Sequence, residues 1–276
     1  MNLPSESLAA IDKVIQRIDS CRVEPEFTNE LKWRVEGKPD FNLPDEKILA
    51  RMIDLIAYSN NAPANKVGKL IESGILRTIF HDYSIEKTVE SLPEQIRLQH
   101  WSAMTAIRFK YKIDRMIACA ACLQQFRERH ASFMAYVHSV GLPSAVNSEH
   151  DVQSFWGGFD AIASHLWHVD FPYFKNFTSL CHLLMDLGFD CAKPNLAVMK
   201  AAVDLGIVPA APTQKKDPNK TRLHPEKHLR TTVEAIQSYA LCRNTRAPVV
   251  DLYFLIHGGQ LGVKSLVQSQ YYSARE

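Results

Sequence analysis

The stretch MDLGFDCAKPNLAVMKAAVDLGI, residues 185–207, decides the fold. An apolar helical pattern stops there at Gly188, a residue suited to the left-handed conformation that ends many helices, so we expect a positive φ. Pro194 suits the first position of a second helix, whose apolar residues again follow helical spacing. The segment therefore predicts a helix–hairpin–helix, a motif whose free backbone N–H groups can hold a phosphate.

The same helical period extends through most of the chain. Leu49, Met52 and Ile56 share one helix face, for example, and the alternation typical of strands is nearly absent. The pattern predicts an all-α fold of about ten to twelve helices. With 276 residues, of which 46% are hydrophobic, the chain can form one large domain or two lobes with an apolar core.

Charge and cysteine content exclude several classes of protein. The chain has 32 Lys and Arg against 30 Asp and Glu, so it is not globally polybasic, although a local basic face is allowed. No apolar run approaches the roughly 18–20 residues of a membrane span, and the N-terminus does not resemble a secretory signal. The six cysteines form no dense framework, which favours reduced thiols. We expect a cytoplasmic protein with no membrane partner.

A second candidate segment is NTRAPVVDLYFLIHGG, residues 244–259. Pro248 and the two valines favour an extended approach, and Asp251 stands where we expect a helix to begin. Asp251 is then either an ordinary N-cap or a cap that also directs a carboxylate into a cleft, where it can face a developing positive charge. The sequence leaves both interpretations open.

Several stretches, taken in order, resemble the helix–hairpin–helix DNA glycosylases. LIAYSNNAPANKVGKLI (55–71) is similar to their helix–turn–helix with a Ser-x-Gln/Asn tip. AIRFKYKIDRMIACA (106–120), SFMAYVHSV (132–140) and LGFDCAKPNLAVM (187–199) resemble segments of 3-methyladenine DNA glycosylase I. VVDLYF (249–254) resembles the aspartate segment that follows the hairpin in the endonuclease III branch.

The resemblance implies a two-lobed all-α fold with a cleft between the lobes that binds double-stranded DNA. We predict one lobe from residues 1–45 and 207–276, and a central helical bundle over 46–206 with the hairpin near 180–206. The implied protein acts as a monomer. It needs no cofactor, apart from an alkali cation that the hairpin can bind together with DNA.

The resemblance also implies the reaction. Asp251 would stabilise the oxocarbenium-like sugar that forms when the N-glycosidic bond of an extruded base breaks. The lysine of the strand-cutting enzymes aligns with Asn195, so we expect a monofunctional glycosylase that leaves an abasic site. No cysteine follows Cys242, so we expect no iron–sulfur cluster. The chain departs from the family in having no acid near Ile56 and more than fifty residues between the hairpin and Asp251.

DNA contacts are predicted at three places. The hairpin would hold a phosphate through Gly188, Lys193, Pro194 and Asn195, and the tip would fill the gap left by the extruded base through Asn60 and Asn61. The third place is a predicted exposed basic loop at 209–230, which leads into a helix near 224–243. Its lysines would neutralise phosphates without reading the sequence. They are Lys215, Lys216 and Lys220.

Other polar and aromatic groups have simpler interpretations. The Cys119–Cys122 pair favours core packing over metal binding, because no second pair is near, and we predict no metal site. Asp186, Asp190 and Asp204 are expected to be solvated, with Asp204 as a reserve candidate for the essential acid. Some aromatic residues of the middle segment belong to the core, but a glycosylase also needs rings that stack on the extruded base. The candidates for this pocket are Trp156, Trp167, Tyr173 and Phe174.

Two other functions remain open from the sequence. One is a catalytically silent helix–hairpin–helix protein that binds DNA or another partner. The other is a bifunctional glycosylase/lyase in which Lys193 supplies the amine. The substrate is also open, since an alkylated purine, an oxidised base or a bulky modified base of phage DNA all fit, in repair or in defence.

Overall fold

The computed structural model describes residues 3–22, 25–211 and 224–259. Within these ranges the chain forms fourteen α-helices and two short 3-10 helices and has no strand, which confirms the all-α prediction. The helices are more numerous than expected because several are single short turns that the apolar period does not separate. None of the helices in the described ranges combines the length and the apolar character that crossing a membrane requires.

The chain divides into two compact units, each built from more than one segment. Unit 1 contains Met1–Lys38, Pro143–Ser154 and Gly188–Glu276, and unit 2 contains Pro39–Leu142 and Phe155–Leu187. The residues from Gly188 onward therefore belong with the N- and C-terminal helices, whereas the predicted division began this part of the lobe at residue 207 and placed 188–206 in the central bundle.

Unit 1 has a small apolar core around its last helix. Ile18, Phe27 and Ile256 are fully buried there, and the rings of Phe27 and Tyr253 meet edge to face with centroids 5.8 Å apart. The core is built by helices from both ends of the chain. They are α1 (Ser5–Cys21), α2 (Glu26–Glu36) and α14 (Ala247–His257), and two further helices, α12 (Leu196–Asp204) and α13 (Glu226–Cys242), also pack against α14.

Unit 2 is built around two long helices, α3 (Asp45–Tyr58) and α8 (Tyr111–His130). The faces predicted from the apolar period are buried, with Leu49 and Met52 on α3 and Ile113 on α8 inaccessible to solvent. Shorter helices surround this pair. They are α4 (Ala64–Glu72), α5 (Ile75–Ile79), α6 (Ile85–Val89), α7 (Pro93–Met104), α9 (Phe133–Ser139) and α11 (Phe177–Asp186), with 3-10 turns at His81–Tyr83 and Thr105–Ile107. Helix α10 (Glu149–His168) contains the boundary between the units.

Candidate functional site

Asp251 does not cap its helix. Helix α14 begins at Ala247 with Arg246 as its N-cap, so Asp251 lies in the second turn, and the predicted N-cap role is wrong. The reason is Pro248, which favours the first turn of the helix rather than the extended approach we expected. The Asp251 side chain points into unit 1 and is only 2% exposed.

Both carboxylate oxygens of Asp251 are bound. Oδ1 accepts the backbone N–H of Lys193 at 2.8 Å, and Oδ2 accepts Nη1 of Arg34 at 2.8 Å. The same Arg34 nitrogen also donates to the carbonyl of Pro248 at 2.8 Å. The Arg34 and Asp251 side chains are 6% and 2% exposed, so they form a buried ion pair between α2 and α14. We call Arg34, Lys193 and Asp251 the ionic centre.

Lys193 adds an amine to the ionic centre. Burial lowers the pKa of the Lys193 amine to about 8, while the charge of Asp251 opposes this shift and that of Arg34 adds to it. No hydrogen bond or ion pair engages its Nζ within the described ranges. The structure thus brings together Lys193 and Asp251, which the sequence analysis singled out separately. It adds Arg34, which the sequence analysis did not identify.

The hairpin has the predicted turn. Gly188 has a φ of 95°, which confirms the expected left-handed conformation. Its carbonyl accepts Nη2 of Arg246 at 2.7 Å, and Nε of Arg246 donates to Oδ1 of Asp190 at 2.8 Å. Oδ2 of Asp190 accepts the N–H of Val146 at 2.9 Å. Asp190 is 5% exposed, so the prediction that it is solvated is wrong; its carboxylate fixes the turn instead.

The helix that follows the turn, α12, begins at Leu196, two residues later than expected. Asn195, and not Pro194, stands at the start of α12, where its Oδ1 accepts the N–H groups of Ala197 and Val198 at 3.0 Å each. The prediction of Pro194 as the first helical residue is wrong because Asn is among the strongest N-caps. The N–H groups of Ala197 and Val198, at the start of α12, are therefore already bonded within the chain. Phosphate binding by the hairpin stays a prediction.

Helix α14 packs very closely against the start of α12. A β-carbon at Gly258 would lie 1.9 Å from the carbonyl oxygen of Ala197, a distance that no side chain tolerates. This glycine therefore lets the helix that carries Asp251 approach the helix that follows Lys193.

The predicted tip of unit 2 is an exposed left-handed turn. Asn60 and Asn61 have φ values of 53° and 56°, and both side chains are exposed. Nδ2 of Asn60 donates to the Tyr111 hydroxyl, and Nη1 of Arg108 donates to the carbonyl of Asn61 at 2.9 Å. The turn is therefore held in place by the residues that precede and begin α8, and it is available to a partner.

The four aromatic candidates differ in their exposure. Trp156 and Phe174 are 5% and 0% exposed and pack into the core of unit 2, whereas Trp167 is 69% exposed. Trp156 stacks on Phe177 with an interplanar angle of 10°, and Phe174 meets the edge of Tyr173. The burial of Trp156 and Phe174 fits the core role that the sequence also allowed, and a base pocket formed by these residues stays a prediction.

Unit 2 also contains a carboxyl group that the sequence analysis did not single out. Oδ1 of Asp54 is buried and has no hydrogen-bond partner within the described ranges. Burial, together with the charge of Asp186, raises the pKa of Asp54 to about 6, and Arg51 opposes the shift. Asp186 is itself paired with Arg51 at 2.9 Å, and Asp204 lies on the surface. An acid within the apolar run MIDLIA was the signal that could have identified Asp54.

Some predictions concern residues outside the described ranges or groups that the structure does not contain. Lys215, Lys216 and Lys220 lie outside the described residues, and the helix that follows their loop begins at Glu226. Among the described residues no three His, Cys, Asp or Glu side chains are placed to hold a metal ion.

Comparison with known proteins finds no matching family model, no similar curated protein and no similar solved structure.

Proposed function

We propose that the chain is a DNA glycosylase that breaks the N-glycosidic bond of an extruded base and leaves an abasic site. The observation that supports this best is the ionic centre, where Asp251 accepts the N–H of Lys193 from 58 residues earlier in the sequence. The two donors fix this carboxylate in position, but it is 2% exposed and paired with Arg34, so its action on a sugar requires that bound DNA open the ionic centre and weaken the ion pair.

Asp251 would act on the sugar. When the bond to the base breaks, the deoxyribose acquires oxocarbenium character, and a nearby carboxylate lowers the energy of that cation. The same carboxylate would orient or deprotonate the attacking water, which completes hydrolysis. Extrusion of the base costs a few kcal/mol and costs least for a damaged or poorly paired base, which contributes to selectivity.

Double-stranded DNA is the proposed partner, bound by a monomer. The hairpin around Gly188 and Lys193 would hold one phosphate, with an alkali cation when DNA is bound, and Asn60 with Asn61 would occupy the gap left by the extruded nucleotide. The lysines of the 209–230 loop would add sequence-independent attraction to phosphates.

A second candidate is a glycosylase/lyase, which the low pKa of Lys193 favours. An amine with a pKa of about 8 is partly neutral at physiological pH and can act as a nucleophile. It would attack C1′ of the sugar as the base leaves and form a Schiff base. Elimination of the 3′ phosphate then cuts the strand, and water releases the amine.

Two measurements on the same variants separate these reactions. Released bases are identified by mass spectrometry after single-turnover incubation with modified duplexes, and Schiff bases are trapped with borohydride on abasic DNA. The variants are Lys193→Met and, as a matched control, Lys200→Met, which removes an exposed lysine of α12.

If the chain is a hydrolase, no adduct is trapped. Lys193→Met then releases base at a rate close to that of the control at saturating enzyme. The lyase predicts a trapped adduct in the wild type and in Lys200→Met, and its loss in Lys193→Met. Absence of base release from every duplex tested would reject both reactions.

A further inference from the structure

The residues before and at the start of α8 carry aromatic rings and positive charges in alternation. The sequence Arg108-Phe109-Lys110-Tyr111 leads into the helix, and Arg115 follows one turn later. We call these five residues the aromatic–basic surface. Phe109 and Tyr111 are 37% and 40% exposed, and their rings lie nearly parallel, with centroids 5.5 Å apart and an interplanar angle of 20°. Exposed, paired aromatic rings are characteristic of binding surfaces.

The cations of this surface lie beside the rings. The guanidinium of Arg108 is 5.4 Å from the centroid of Phe109, and that of Arg115 is 4.6 Å from the centroid of Tyr111. Neither these two nor Lys110 forms an ion pair within the described residues, whereas the neighbouring Arg97 is paired with Glu94 and Asp114. Among the described residues, no ion pair therefore neutralises the positive charge of the surface, and the two acids that line the adjoining groove, Glu94 and Asp114, are paired with Arg97.

The surface is fixed by buried contacts below it. Nζ of Lys112 is buried and donates to the carbonyls of Ala57 and Ser59 at 2.9 and 2.7 Å, which ties the start of α8 to the end of α3. Arg108 has a φ of 71°, an unfavourable conformation for a residue with a side chain. A ligand that stacks on these rings does not have to order them first, which favours binding.

A groove adjoins the aromatic–basic surface at Lys110 and Tyr111. It has a volume of about 740 Å³ and runs along α7 from Tyr111 past Lys110 to Trp101. The Lys110 amine is 5.5 Å from the centroid of the Trp101 ring, so the pairing of a cation with a ring is repeated there. The groove thus extends the surface by one more aromatic position.

We propose that the aromatic–basic surface binds unpaired nucleotides of a nucleic-acid strand. Each nucleotide presents one flat base and one phosphate, which match one ring and one cation of the surface. A duplex cannot use the rings in this way, because its base faces are covered by their neighbours and only edges are accessible. The protein would then prefer unpaired strand at this surface, in addition to its proposed function. This binding does not depend on base excision, since it requires no bond cleavage.

Fluorescence anisotropy with a short labelled oligothymidylate tests this binding. We expect Phe109→Ala and Tyr111→Ala each to weaken affinity roughly tenfold, the effect of removing one stacked base. Phe109→Tyr should retain affinity because it keeps the ring. The matched control is Trp33→Ala, which removes an exposed aromatic ring of unit 1 with a cation beside it, the guanidinium of Arg34 at 4.7 Å, and should leave affinity unchanged.

A second probe separates stacking from charge. An abasic oligomer of equal length keeps every phosphate but has no bases, so the wild type should bind it more weakly than either alanine variant binds oligothymidylate, because stacking on both rings is lost at once. Equal affinity of the wild type for both oligomers, or unchanged affinity of both alanine variants, would overturn the proposal. A chain that releases no base but binds oligothymidylate in this pattern would refute the glycosylase reaction and leave the stacking surface intact.

Discussion

Replacement of Asp251 by asparagine tests the role that the structure gives this residue. The change removes the negative charge opposite Arg34, whose side chain is 6% exposed, but keeps an oxygen that can accept the N–H of Lys193. Loss of one partner from a buried ion pair costs about 3–5 kcal/mol, because the remaining charge stays buried without compensation. We expect Asp251→Asn to lower the free energy of unfolding by about 3 kcal/mol, the lower end of that range.

Asp251→Ala should be more destabilising. It also removes the acceptor of the Lys193 N–H, and an unsatisfied buried donor costs about 1–3 kcal/mol more. Replacement of both partners, Arg34→Met with Asp251→Asn, should recover much of the loss caused by Asp251→Asn alone, since it removes the unpaired buried charge and keeps an acceptor for the Lys193 N–H.

The assay is urea unfolding followed by circular dichroism, with Glu36→Gln as the control because Glu36 is exposed at the end of α2. The control should remain within about 0.5 kcal/mol of the wild type, as is usual for surface substitutions. If Asp251→Asn behaves like this control, the ion pair contributes nothing to stability and the reasoning is refuted.

Three further predictions concern the hairpin, the buried acid and the basic loop. Gly188→Val should lower the free energy of unfolding by about 1–2 kcal/mol or more, because its φ of 95° disfavours a β-carbon, and thermal melting measures this. Burial raises the pKa of Asp54 to about 6, so ionisation of its carboxyl destabilises the folded state as the pH rises from about 4 through 6. Asp54→Asn should therefore be more stable than the wild type at pH 7, by at most about 3 kcal/mol, and no more stable at pH 4. Thermal melts at the two pH values measure this. Charge reversal of Lys215, Lys216 and Lys220 to Glu should weaken binding to every DNA sequence alike and reduce the salt dependence of the binding constant; an unchanged slope would place the loop away from DNA.

Local patterns were sufficient for the fold class and for the conformation of Gly188. The apolar period that predicted helices at Leu49 and Met52 arises from the burial of one face, and this is what the structure shows. The positive φ of Gly188 was predictable for the same local reason, since a helix end favours glycine there.

The contacts that build the ionic centre were not predictable from local patterns. Arg34 lies 217 positions before Asp251 in a helix with no distinctive motif, so nothing in the sequence connects the two. Asp190 was predicted to be a solvated turn residue, yet its carboxylate accepts hydrogen bonds from Nε of Arg246 and the backbone N–H of Val146. Burial of a charged residue depends on a tertiary partner, and such partners are set by packing rather than by spacing.

The most direct test of the central claim is mass spectrometry of bases released from a panel of damaged and naturally modified duplex DNAs. The wild type and Asp204→Asn are compared with Asp251→Asn at a temperature where circular dichroism shows all three folded. We predict that the first two release at least one modified base in a single turnover and that Asp251→Asn, although it still binds the duplex, releases none. Release by Asp251→Asn at the rate of the wild type would contradict the assignment of Asp251, and release by none of the three from any duplex would contradict the glycosylase itself.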